Sequence, residues 1–161
     1  MTKVLKVLVI IALVAVIGFS FVTCDDGGGG GGNKWTAVKD STFGTSQILA
    51  IAYGNGKFVA VGGFNGGKMA YSTDGTTWTA VADSTFGTSG GIYAIAYGNG
   101  KFVAVGNSGK MAYSTDGTTW TAVADSTFGT SILDAINAIA YGNGKFVAGG
   151  NGGKMAYWKD N

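Results

Sequence analysis

Hydrophobic and polar positions split this chain into two regimes. From Val7 to Thr23 the residues carry no charge and are mostly Val, Ile, Leu, Ala and Phe, with Lys3 and Lys6 ahead of them. A basic start followed by an apolar stretch is the layout of an export signal. Beyond residue 33 the apolar residues fall into short clusters closed by Asn-Gly, Asp-Gly or Gly-rich turns, with no helical period of useful length. Between 94 and 124 the pattern predicts four strands. Ala94-Ile95-Ala96-Tyr97 runs into Gly98-Asn99-Gly100, an Asn-Gly signal for a two-residue hairpin. Lys101 to Val105, Lys110 to Thr115 and Trp120 to Ala124 follow, parted by Gly106 to Gly109 and by Asp116-Gly117.

This unit is one of three. Tyr-Gly-Asn-Gly-Lys-Phe-Val-Ala begins at Tyr53, Tyr97 and Tyr141, a spacing of 44 residues each time, and Lys-Met-Ala-Tyr begins at Lys68, Lys110 and Lys154. The stretches Lys68 to Ser89 and Lys110 to Ser131 are identical. Repetition at this period marks a fold built of stacked supersecondary units. Both faces of each strand are apolar, Phe102 and Ala104 on one side and Val103 and Val105 on the other. Sheets of that kind must be covered on both sides by neighbours. The expected fold is all-β and β-propeller-like, with three four-stranded antiparallel blades over residues 35–161. A β-trefoil, which also has three units of four strands, is the alternative.

The turn Ser72-Thr73-Asp74-Gly75-Thr76-Thr77-Trp78, repeated from Ser114 to Trp120, resembles the Asp-box, or BNR, repeat of sialidase-like β-propellers, whose pattern is Ser-x-Asp-x-Gly-x-Thr-Trp. Both copies lack the residue between Asp and Gly, and the third copy ends in Trp158-Lys159-Asp160-Asn161. The resemblance implies a structural role for the box. Asp74 and Asp116 would accept backbone hydrogen bonds inside their turns, and Trp78 and Trp120 would pack between strands. Sialidase activity is not implied, because that family holds its substrate carboxylate with three arginines and this chain has none.

Trp35 to Lys39 matches the fourth strand but precedes the first complete unit, while the last unit stops after its third strand. The N-terminal strand is thus expected to complete the last blade. Three blades are fewer than the four to eight of an ordinary propeller. Two chains could close a six-bladed ring as a homodimer, each N-terminal strand entering the partner's last blade.

Residues 1–23, ending in Phe21-Val22-Thr23 ahead of the sole cysteine, Cys24, resemble a bacterial lipoprotein signal peptide with its lipobox. The resemblance implies lipidation of Cys24 and a membrane-anchored protein of the cell envelope. An uncleaved anchor is the alternative. Residues 24–34, with Gly27 to Gly32 at their centre, read as a flexible tether.

Composition narrows the chemistry. All 11 basic residues are Lys and all nine acidic residues are Asp, with no His, Glu, Arg or Pro. Imidazole-based triads, a glutamate base and guanidinium clamps are therefore excluded, and an enzyme is not expected. No cofactor or metal site is expected, since each repeat offers one Asp at a spacing unlike a calcium loop. Once Lys3 and Lys6 are removed with the signal, nine Lys balance nine Asp, which gives no field for nucleic acid.

Copy-to-copy differences gather at one end of the blades, in the connections 47–49, 90–93 and 132–137 and in the turns after each second strand. Variable loops on a rigid scaffold are where binding resides. The candidate ligand contacts are Phe64, Asn65, Tyr93, Asn107, Asp134 and Asn151, for a protein or glycan ligand.

Overall fold

The computed structural model describes residues 34–64 and 66–159. Residues 1–23, expected to form the export signal, Cys24, the glycine run and Asn65 lie outside the described residues. Among the described residues, eleven strands form three antiparallel sheets. The first holds β1 (Ile48–Gly54), β2 (Lys57–Gly62), β3 (Lys68–Ser72) and β4 (Thr79–Ala80). The second holds β5 (Ile92–Gly98), β6 (Lys101–Gly106), β7 (Met111–Ser114) and β8 (Thr121–Ala122). The third holds β9 (Ile136–Gly142), β10 (Lys145–Gly150) and β11 (Met155–Lys159). Each sheet is a meander, with consecutive strands as hydrogen-bonded neighbours. Asn55-Gly56, Asn99-Gly100 and Asn143-Gly144 join the first two strands of each, all six residues having φ between 45° and 73°. A type I′ turn needs positive φ at both central residues, which Asn and Gly supply at least cost.

The sheets stack as the two-sided apolar pattern requires. Val59, Val61 and Met69 of the first sheet join Ile95, Phe102, Ala104, Ala112 and Trp120 of the second in one cluster, and Phe86 from the intervening connection caps it. Val105 of the second sheet meets Ile136 and Ala148 of the third, with Phe128 as the cap. Phe102, Val103, Ala104 and Val105 are all buried, so both faces of β6 are covered. The arrangement is that of propeller blades; the described strands form three separate sheets and no trefoil barrel.

Three boundaries depart from the sequence expectation. The fourth strands are two residues long, because after Val123 donates to Met111 O the Asp125 carboxylate takes the Thr127 amide at 2.8 Å and turns the chain away. Ile48, Leu49, Ile92, Tyr93, Ile136 and Asn137, expected in connections, are strand residues. Ile92 and Ile136 are buried between sheets and pair with Gly106 and Gly150. Residues 35–39, expected to complete the last blade, are outside every strand, and the third sheet has three strands.

Candidate ligand groove

At the end of the blades that carries the Asn-Gly hairpins, the Ser-Thr-Asp-Gly turns are closed on themselves. Asp74 Oδ1 accepts the amides of Thr76 and Thr77 at 2.8 and 2.7 Å and the Ser72 hydroxyl at 2.9 Å. Ser72 Oγ in turn accepts the amides of Asp74 and Gly75. Asp116 and Ser114 repeat the pattern with Thr118, Thr119 and Gly117. Amide donation by Thr77 and Thr76, with Ser72, holds the Asp74 carboxyl far below the ordinary carboxylate range. For Asp116, burial works upward, but the donors Thr119, Thr118 and Ser114 outweigh it and the net shift is again strongly downward. A carboxylate fixed in this way stays ionised and cannot serve as a general acid near neutrality. Trp78 Nε1 donates to Gly75 O at 3.2 Å, whereas Trp120 is buried between sheets with its Nε1 unpartnered.

The opposite end is open. A groove of about 610 Å³ is lined by Leu49, Phe64, Tyr93, Asn107, Ile132, Ala135, Asn137 and Asn151. Four of the candidate contacts, Phe64, Tyr93, Asn107 and Asn151, are thus brought together. Phe64 and Tyr93 lie with ring centroids 6.0 Å apart at 51°. Leu49, Tyr93 and Asn137 are the second residues of β1, β5 and β9, spaced like the repeat itself. Each repeat therefore contributes one different side chain to the same wall.

Backbone bonds fix the loops to this scaffold. Gly63 N–H donates to Gln47 O, Asn107 N–H to Gly91 O and Asn151 N–H to Ala135 O, at 2.9–3.0 Å. Asn151 Nδ2 donates to Leu133 O at 3.0 Å, and Asn137 Nδ2 to Asn151 Oδ1 at 2.8 Å. Asp134 is not on the wall. It accepts Lys154 Nζ at 2.8 Å and the Ser131 amide at 2.9 Å, and the lysine first, then the amide, lower its carboxyl below the ordinary range. Asn65 lies outside the described residues. Leu49, Ile132, Ala135 and Asn137 are wall residues that sequence reasoning did not select as contacts, although the spacing from Tyr93 marks Leu49 and Asn137.

The wall combines aromatic and aliphatic side chains with asparagine amides and carries no ionised side chain. Such a surface can accept apolar side chains and exchange hydrogen bonds with neutral amide or hydroxyl groups.

No protein-family model matches the chain, and no curated protein does. Among solved structures it is similar to YCF48 bound to a D1 peptide, with TM-score 0.60 and 20% identity over 72% of this chain and 38% of that one. It is also similar to the computationally designed protein Ika8, with TM-score 0.50 and 20% identity over 70% of this chain and 33% of that one. The chain spans less than two fifths of the length of either. At this identity the likeness concerns the fold alone, and it agrees with the stacked meanders: the chain is an all-β, propeller-like repeat protein.

Proposed function

We propose that this chain is a noncatalytic binding module whose groove takes a peptide segment of a protein ligand, and that it works tethered to the cell envelope through a lipid on Cys24. The observation that carries the binding reading is the convergence of Phe64, Tyr93, Asn107 and Asn151 on one groove, together with Leu49 and Ile132. Aromatic and aliphatic groups would bury ligand side chains, while asparagine amides offer both a donor and an acceptor to a peptide backbone. YCF48, one neighbour in fold, is bound to a D1 peptide, which favours peptide over glycan. Supporting the noncatalytic part, Asp74 and Asp116 are engaged inside their turns, which leaves them structural.

The test presents the full chain to a random-peptide array and a glycan array side by side. Capture on peptides is expected, with loss of at least tenfold in a Phe64→Ala/Tyr93→Ala variant. Glycan-only capture, or capture that the double variant leaves intact, would reject the assignment. Mass spectrometry of the mature N-terminus tests the tether. An acylated Cys24 is expected, and an unmodified Met1 refutes it.

A second reading, a self-assembly module, is favoured by the third sheet. Among the described residues it has three strands where the first two have four, while a segment identical to the start of the fourth strands lies outside every strand at residues 35–38.

A further inference from the structure

The two ends of the blade stack are complementary. Within the stack a tyrosine of each sheet seats on a glycine of the one before: a Cβ at Gly54 would fall within the Tyr97 ring, and one at Gly98 within the Tyr141 ring. At the far end Gly142, the equivalent glycine, meets nothing within 4 Å, and at the near end Tyr53, the equivalent tyrosine, is 59% exposed. The same holds across the faces. Val59 and Val103 are fully buried, whereas their equivalent Val147 is 38% exposed, and Met155 and Tyr157 beside it are also exposed. Asn55 Nδ2 and Lys57 Nζ of the first sheet donate to Thr115 O and Asp116 O of the second, at 3.1 and 2.9 Å. Their third-sheet equivalents, Asn143 and Lys145, stand at the far end, where no further sheet follows among the described residues.

The open edge at β11 of the described third sheet points to the same partner. Trp35-Thr36-Ala37-Val38 repeats Trp78-Thr79-Ala80-Val81 and Trp120-Thr121-Ala122-Val123 letter for letter. In the second sheet this segment supplies β8, places Trp120 in the core against the first sheet, and leads into the connection whose Phe128 caps the next interface. Residues 35–38 likewise lead to Phe43, which is buried on Ala60 and Ala70 of the first sheet. By position in the repeat, they belong to a sheet that would precede the first. A cavity of about 440 Å³ between the second and third sheets, lined among others by Met111, Val123, Phe146, Ala156 and Trp158, occupies the place that a Trp120 equivalent would fill in the third sheet. Trp35 itself is 98% exposed.

We propose that a second copy of this chain docks head to tail on the third sheet, laying its residues 35–38 along β11 as the fourth strand, inserting its Trp35 into that cavity and seating its Tyr53 on Gly142. The reverse exchange closes the ring. The three described sheets of each copy make six blades from two copies, within the common range of four to eight, and three copies would make nine. A head-to-tail contact that closes at two copies leaves neither end free. This inference rests on the self-assembly reading and names its surfaces; the peptide groove is a separate matter.

The full chain in mild detergent, weighed by light scattering with the detergent contribution subtracted, is expected to run as two chains. Trp35→Ala removes an exposed side chain, and Gly142→Trp adds one where the single chain leaves open space, so neither disturbs the fold of one copy; circular dichroism checks this. Each is expected to weaken association at least tenfold. Mixed one to one, the two variants recover two-chain particles, because one donor and one acceptor remain intact. A dimer indifferent to both substitutions would overturn these surfaces while leaving the assembly reading standing. A monomeric wild-type chain would overturn both, and an open series of larger species would overturn the closed ring.

Discussion

The ring of Tyr97 lies over Gly54 so closely that the glycine could not carry a Cβ without the ring moving. Tyr97 is itself held by Phe102, centroid to centroid 4.7 Å, so the ring has little room to yield. Overpacking at such a contact costs about 1–3 kcal/mol. Gly54→Ala is therefore expected to lower stability by that amount, and Gly98→Ala, beneath Tyr141, by a similar one. Urea unfolding of each variant reads the loss directly; an unchanged midpoint would show that the sheets can separate at this point without penalty.

Ser114 is a second point of rigidity. It is buried, accepts the amides of Asp116 and Gly117 and donates to Asp116 Oδ1 at 2.9 Å. Removing a hydroxyl that satisfies buried groups costs about 1–3 kcal/mol. Ser114→Ala is expected to fall in that range in thermal or urea unfolding, and Ser72→Ala likewise. A loss of a few tenths would mean that water replaces the hydroxyl.

What the sequence disclosed and what it withheld divide along a physical line. Strand order, hairpin turns and two-sided burial are local properties, written in Asn99-Gly100, Asp116-Gly117 and the alternation of Phe102 to Val105, and each was legible. The groove was legible in part. Tyr93 and Asn107 stood out because repeats differ there, but Ile132 and Ala135 reach the wall through the path of a connection, which no residue type announces. Asp134 looked available for a ligand because its pairing with Lys154 spans 20 positions of chain. Residues 35–38, identical to 78–81, were expected to form the fourth strand of the last blade, but they lie outside every strand, because sequence identity fixes a strand's pattern and not the sheet edge it must reach.

Acid should act on the turns in a defined window. The carboxyls of Asp74 and Asp116 titrate far below the ordinary value in the folded chain, through amide donation at Asp74 and, at Asp116, through amide donation that outweighs burial. An unfolded chain has ordinary aspartates, near about 3.9. Between the two values the unfolded state binds more protons, so stability is full above the unfolded value and falls as pH drops through the folded one. Unfolding midpoints should be flat from neutrality to about pH 5 and decline below about pH 4. In an Asp74→Asn/Asp116→Asn variant the decline should be shallower. Parallel curves for the two proteins would place the acid sensitivity elsewhere.

The repeated lysine at the head of each third strand joins fold to groove. Lys68, Lys110 and Lys154 Nζ donate to Phe43 O, Phe86 O and Phe128 O at 3.0, 2.6 and 2.7 Å, pinning the connection whose phenylalanine is buried below. A hydrogen bond from a charged donor is worth about 1.5–3 kcal/mol net, so Lys110→Met should cost about that and speed hydrogen exchange in residues 87–90. Lys154 carries a second load, because it also holds Asp134, which fixes the loop through the Ser131 amide. That loop supplies Ile132 to the groove and leads into Asn137. Lys154→Met is therefore expected to weaken peptide capture severalfold without changing a wall residue, while Lys110→Met leaves capture at the wild-type level. A solvent-exposed ion pair adds little to stability, so global stability should barely separate the two variants. Equal capture by both would show that the loop from 131 to 137 holds its shape without the lysine.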